Sequence, residues 1–280
     1  MRIINAGEIT DIVARTCIEA NVKAPRDVLK AFENALKTET SPAGLEILGQ
    51  LLENVSLAGE TGLPLCQDTG LAVFFVEMGA DCRVDGDLYQ AINEGVRQGY
   101  EKGYLRKSAC HPLTRKNTGD NTPAVIHTDL VPGDKIKIRF MAKGGGSENM
   151  SRATMLTPAQ SWEGIKKFVV NRVAEAGPNP CPPTIVGIGI GGTFDFAPIL
   201  AKKALFRPLD EKHRDPEIAP MEDEVLTALN DLGIGPMGMG GNTTSLGVKI
   251  EMAPCHIASL PLAVNIQCHS ARHKEVVIYV

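Results

Sequence analysis

At 280 residues, 43% of them apolar and 22% charged, the chain can bury a substantial core and is composed like an ordinary globular protein. A formal net charge of −4 gives no basic footprint for nucleic acid, and the dispersed Lys and Arg residues make no polybasic membrane anchor. No stretch approaches the roughly 18 apolar residues of a membrane span. The N-terminal MRIINAGEITDIVARTCIEA lacks the apolar segment of a signal peptide, so the chain reads as cytoplasmic. Seven cysteines, an odd number in a long chain, argue against a disulfide scaffold and for thiols that bind metal or simply pack.

The first 60 residues read as helical. Leu29, Phe32 and Leu36 share a face between Asp27 and Leu36, and Ser41-Pro42 reads as an N-cap with Pro at N1. Leu45, Leu48, Leu52 and Val55 keep the helical period until Gly59 and Gly62. GLPLCQDTG then leads into a strand over 71–76, and 87–102 reads as a helix. Periodicity vanishes over 105–123, a polar loop of a length that is more often functional than accidental. Strands are predicted over 124–127 and 135–141, followed by the KGGGSENMS loop and a helix over 158–176. A short strand at 184–186, helices over 195–205 and 222–232, a glycine-rich stretch and strands over 258–266 and 275–280 complete the chain. The fold class is α+β: one mixed α/β domain over 1–280, helical to about residue 60, with a β-sheet core and glycine-rich loops.

Three cysteines sit in loop settings: Cys66 in LPLCQDTG, Cys181 in NPCPPT and Cys268 in NIQCHSARH. They lie 115 and 87 residues apart, which excludes the CxxC pairs of zinc ribbons and ferredoxin-type runs. Thiolates from three distant loops suit an iron–sulfur cluster with one open iron, a Lewis acid for a hydroxy acid. Packing is the other reading, and it is the one assigned to Cys17 and Cys82; Cys110 and Cys255 fit either. GIGIGG at 187–192 matches a dinucleotide fingerprint literally, but no βαβ unit leads into it, and Phe194 and Phe196 crowd the phosphate position. A nucleotide-binding oxidoreductase is therefore the outlying alternative, and a tight turn the plainer reading. KGGGSEN and GMGGNTT are either anion nests or turns. His127 and His256 read by default as structural histidines, and Arg106 as a solvated loop residue or a carboxylate clamp.

Taken together, GLPLCQDTG, NTGDNTP, KGGGSEN, CPPTIVGIGIGGT and MGGNTTSLGVK through APCHIASLPLAVNIQCHSARH resemble the class I iron–sulfur fumarate hydratases and the related L-tartrate dehydratases. The resemblance runs from about residue 45 to the end. It implies that Cys66, Cys181 and Cys268 ligate a [4Fe–4S] cluster, and that Gln67 and Asp68 face the substrate. It also implies that Arg106 holds a substrate carboxylate, that the backbone of Gly144, Gly145 and Gly146 meets the substrate, and that His256 stands beside the active site. Asp68 or His256 would then move a proton, and GIGIGG becomes scaffold. The match is to the cluster-bearing part only. The chain is thus expected to be an α subunit that needs a separate β subunit, with an α homodimer inside an α₂β₂ assembly. The expected reaction is reversible hydration of fumarate to L-malate, a small dicarboxylate, with L-tartrate dehydration as the alternative.

Overall fold

The computed structural model describes residues 2–279. The elements in chain order are β1 (Arg2–Asn5), α1 (Ala6–Val22), α2 (Arg26–Thr38), α3 (Pro42–Thr61), β2 (Leu71–Gly79), β3 (Cys82–Asp85) and α4 (Leu88–Lys102). Then come β4 (Val125–Val131), β5 (Lys135–Lys143), α5 (Gly145–Asn149), β6 (Arg152–Leu156), α6 (Ser161–Ala176) and β7 (Thr184–Gly191). The chain closes with α7 (Phe196–Ala204), α8 (Ala219–Asn230), β8 (Ser245–Ala253), β9 (Leu260–Gln267) and β10 (His273–Tyr279). The fold is α+β with mixed sheets. Contacts divide it into two compact units: one takes the chain up to Pro25, Val55–Gly145 and Arg272 onward, and the other takes Arg26–Asn54 and Gly146–Ala271.

In the first unit a four-stranded sheet, ordered β10-β5-β2-β4, pairs β2 antiparallel to β5 and parallel to β4. The apolar run of β2 places Phe74 opposite Phe140, with ring centroids 5.1 Å apart. Ile136, Ile138, Ile92, Val96 and Val13 complete a buried core. Helices α1 and α4 approach closely because Gly95 leaves room for Val13, where a Cβ would stand 2.6 Å from that side chain. Asp87 caps α4 by accepting from the backbone N–H groups of Tyr89 and Gln90. Cys17 and Cys82 are buried in this core, and His127 stacks on Phe75 from β4, as packing residues do.

The second unit holds a sheet ordered β6-β9-β7-β8. One face, built from Val186, Ile188, Ile190, Ile250, Leu262 and Val264, packs against Ile165 and Val169 of α6 and Val225 and Leu229 of α8. The other face of β7 carries Gly187 and Gly189, where a Cβ would fall 2.1 Å from the Ala201 carbonyl and 2.0 Å from that of Ala197. The glycines seat α7 directly on the strand. GIGIGG is therefore not a phosphate loop: its first glycines lie inside β7, where their use is close packing, and Gly191 and Gly192, at φ +88 and +66, make the tight bend at its end.

Several elements differ from expectation. The N-terminal segment opens with β1, which pairs with β3, so it is not wholly helical. KGGGSEN, expected as a loop, itself winds into α5 from Gly145 and is followed by β6, and the glycine-rich stretch after Gly235 runs into the unforeseen β8. β8 was masked by Lys249 and Glu251 inside it; Lys249 is buried with its Nζ on the carbonyls of Leu209 and Glu211. The predicted strand over 275–280 appears as β10, and Val280 lies outside the described residues. No helix of the described residues is long and apolar enough to cross a membrane.

Candidate active site

In the first unit the Cys66-Gln67-Asp68 stretch sits on irregular backbone between α3 and β2. Its entry is tied to α1, since the Leu65 N–H donates to Asn21 O at 2.8 Å. Its exit is Gly70, at φ +71, where any Cβ would press within 2.7 Å of the Lys143 backbone N. Only glycine combines that conformation with that approach. Asp68 is clamped between these points. Its Oδ1 accepts from Gly70 N at 3.0 Å and its Oδ2 from Gly145 N at 2.8 Å. Its carbonyl accepts from Nη1 of Arg272, which is only 1% exposed. One N–H of KGGGSEN, that of Gly145 at the start of α5, thus meets an anion, and that anion is the chain's own carboxylate.

A second layer holds the turn. The buried Tyr100 hydroxyl donates to Thr69 O at 2.8 Å and reaches Gly70 O at 3.2 Å. Burial first, with Cys17 and Asp68 adding to it, raises the Tyr100 pKa well above its ordinary value, so the hydroxyl keeps its proton. Asn121, in the NTGDNTP stretch, accepts from Ser108 N and Ala109 N while donating to Gly70 O at 3.2 Å. Thr69 Oγ1 donates to Arg106 O at 2.9 Å. The Arg106 loop and the Asp68 loop are therefore one hydrogen-bonded body. Gln67 and Arg106 are exposed, and the Arg106 guanidinium pairs with no carboxylate among the described residues.

The second unit brings Cys181 and Cys268 into neighbouring turns. Cys181 takes φ +54, its N–H donates to Pro178 O at 3.0 Å, and its carbonyl accepts from His269 N at 3.4 Å. Cys268, just beyond β9, is buried and its thiol reaches Ser270 Oγ at 3.6 Å. Gly146 approaches the same turn: a Cβ there would stand 3.2 Å from Asn179 O. At this end of β7, Thr184 Oγ1 meets Ser245 Oγ at 2.7 Å, and Asn230 Oδ1 accepts from the N–H groups of Thr244 and Ser245. GMGGNTT is a filled nest: Asn242 N and Thr243 N donate to the buried Glu39 carboxylate, which also accepts from Thr40 N and Ser41 N.

His256 is exposed, though one ring nitrogen is satisfied within its own turn. Its Nδ1 accepts from Ala258 N at 3.1 Å, which leaves the ring proton on Nε2. It borders an apolar groove of about 370 Å³ lined by Trp162, Ile165, Ile190, Met252 and Ile257. The exposed Cys255 lies on that groove too, its thiol donating to Ser259 O at 3.2 Å. Cys110 forms an isolated β-bridge with Asn117.

The first unit therefore gathers Gln67, Asp68, Arg106 and Gly145, and the second gathers Cys181, Cys268 and Gly146. Cys66 belongs to the first. All seven cysteines are thiols rather than disulfides. Among the described residues no three His, Cys, Asp or Glu side chains form a group for a single metal ion. A cluster makes a different demand, since it takes each thiolate at a separate iron. Arg272, Tyr100, Asn121 and Glu39 were not expected as site-building residues. Arg272 stood in view beside the CHSARH cysteine, but nothing in a sequence shows that a guanidinium will be buried.

The chain matches the family described as fumarate hydratase (Fumerase) over residues 10–277. A putative L(+)-tartrate dehydratase subunit alpha of Methanocaldococcus jannaschii is 46% identical over 272 residues, 95% of each chain. The L(+)-tartrate dehydratase subunit alpha of Escherichia coli O157:H7 is 33% identical over 276 residues, 97% of this chain and 91% of its own. That of Escherichia coli UTI89 is 34% identical over 269 residues, 95% and 89% respectively.

Proposed function

The chain belongs to the fumarate hydratase family, and on that premise we propose that it is the α subunit of a two-subunit hydro-lyase that reversibly hydrates fumarate to L-malate. The observation that carries the reading is Asp68, a half-buried carboxylate fixed by two backbone N–H groups one residue beyond the Cys66-Gln67 pair. A carboxylate offers about four acceptor positions, and the two bonds to glycine leave capacity for a substrate proton. Gln67 and Arg106 present exposed polar groups on the same braced body, suited to hold a carboxylate. Gly145 N–H serves Asp68, so its part is to orient that carboxylate, while Gly146 keeps the role of a backbone contact to the substrate. His256 Nε2–H is a second proton donor within this chain.

Cys66, Cys181 and Cys268 would hold a [4Fe–4S] cluster. The donor set fits it: three thiols on irregular backbone, with Cys268 beside a buried Gln267 amide that has no partner. When bound, the cluster supplies Lewis-acid polarisation of the substrate hydroxyl. Thiols without disulfides suit the reducing cytoplasm. Relatives named as subunit alpha support a separate β subunit; in this reading that subunit carries the rest of the site, and an α homodimer sits within an α₂β₂ assembly. A second reading, L-tartrate dehydratase, draws its support from the names those relatives carry.

The test is an anaerobic assay of the reconstituted chain, alone and with its β partner, following fumarate absorbance and oxaloacetate formation from L-tartrate. Activity confined to the mixture is expected, with the preferred substrate choosing between the readings. A mixture holding iron yet inactive on both acids would overturn the proposal.

A further inference from the structure

Gln267 is the last paired residue of β9, opposite Ile185 of β7, and beyond this rung the strands open into the Cys268 and Cys181 turns. It is 2% exposed, and neither Nε2 nor Oε1 has a hydrogen-bond partner. Two residues back on the same strand face, Asn265 donates to Glu148 Oε2 at 3.1 Å while its Oδ1 is also unpartnered. Buried polar groups in folded proteins are overwhelmingly satisfied, so several unpaired amide atoms in one place need an occupant to explain them. Among the described residues Asn21 Oδ1, Arg172 Nε and Arg272 Nε are also unpartnered, but only here do such atoms come from two amides on one strand face. At the same end of the sheet Thr184 Oγ1 meets Ser245 Oγ, and Asn230 Oδ1 accepts from the N–H groups of Thr244 and Ser245.

We propose that Gln267 is a positioning residue of the cluster site, its Nε2–H donating to a sulfur of the iron–sulfur group held by Cys181 and Cys268. This rests on the reading of those cysteines as ligands. A donor to sulfur stabilises the more negative, reduced state of such a group and shields it, so it sets the potential.

The test compares wild type with Gln267→Met, which matches the length without an N–H, and Gln267→Asn, which keeps the amide one methylene shorter. Each full chain is studied with and without an anaerobically reconstituted cluster. Without cluster, Gln267→Met should melt at or above the wild-type temperature, because unpaired buried atoms have been removed. With cluster, its EPR-monitored potential should fall and its absorbance should bleach several-fold faster in air, with Gln267→Asn in between. Unchanged potential and bleaching beside an iron-loaded wild type would overturn the inference and leave the cluster reading intact. A large loss of stability in cluster-free Gln267→Met would assign Gln267 to the scaffold and likewise overturn it. A wild type that takes up no iron would overturn the cluster reading itself.

Discussion

Two glycine-rich loops, one in each unit, close on a carboxylate of the chain itself, and the two carboxylates are treated differently. Glu39 is buried and takes four backbone N–H bonds from Thr40, Ser41, Asn242 and Thr243. Its acceptor positions are filled, and what it does is join the end of α2 to the loop before β8. Asp68 is half-buried and takes two such bonds, from Gly70 and Gly145, with a buried arginine behind its carbonyl. A filled carboxylate is a structural tie. An oriented carboxylate with acceptor capacity left over is a reagent.

The largest separation should come from Asp68→Asn, assayed with the β partner. We expect kcat to fall by roughly 10²–10⁴-fold with the melting temperature close to wild type, as for loss of a general acid or base. A similar kcat would place the proton transfer elsewhere. Arg272→Lys keeps the charge but loses the forked donor, so Asp68 should shift; kcat should drop by up to about 10²-fold with little change in KM. Equal losses in both would mark Arg272 as a general structural prop.

Glu39→Gln should show the opposite pattern. Stability should fall by about 1–3 kcal/mol in chemical denaturation, since buried N–H groups lose their acceptor, while turnover per folded molecule holds. Acid titration sharpens the contrast. Burial alone would raise the Glu39 carboxyl, but donors from Asn242, Ser41, Thr243 and Thr40 outweigh it and hold it below its ordinary value. The stability it contributes is complete above the unfolded-state value of about 4.3 and is lost as pH falls through the lower folded value. Glu39→Gln should therefore flatten the acid limb of melting temperature against pH. The smallest effect belongs to Tyr100→Phe, at about 1 kcal/mol for a lost buried hydrogen bond. Because Asn121 still holds Gly70 O, kcat should change less than it does in Arg272→Lys.

Much of the fold was legible where one periodicity ran uninterrupted. The FFV run of β2, the capped start of α4 and the Ser41-Pro42 start of α3 each carry a local signal that packing then reinforces. Strand β8 was hidden because its buried lysine is satisfied by partners far along the chain, Lys249 by the 209–211 carbonyls. GIGIGG reads as scaffold, but only the position of α7 shows which element its glycines seat.

For the site, the sequence by itself determined the inventory: a Cys-Gln-Asp triplet, two further loop cysteines, an arginine-bearing loop and glycine-rich stretches, in an order that places the chain in its family. Tertiary structure alone decided how they are used. Which glycine-rich stretch meets which carboxylate, which arginine is buried behind Asp68 and which amide is left unpaired beside Cys268 all depend on residues scores of positions apart meeting in space. Hydrogen bonds and burial act over a few ångströms, so they leave no periodic trace in a sequence.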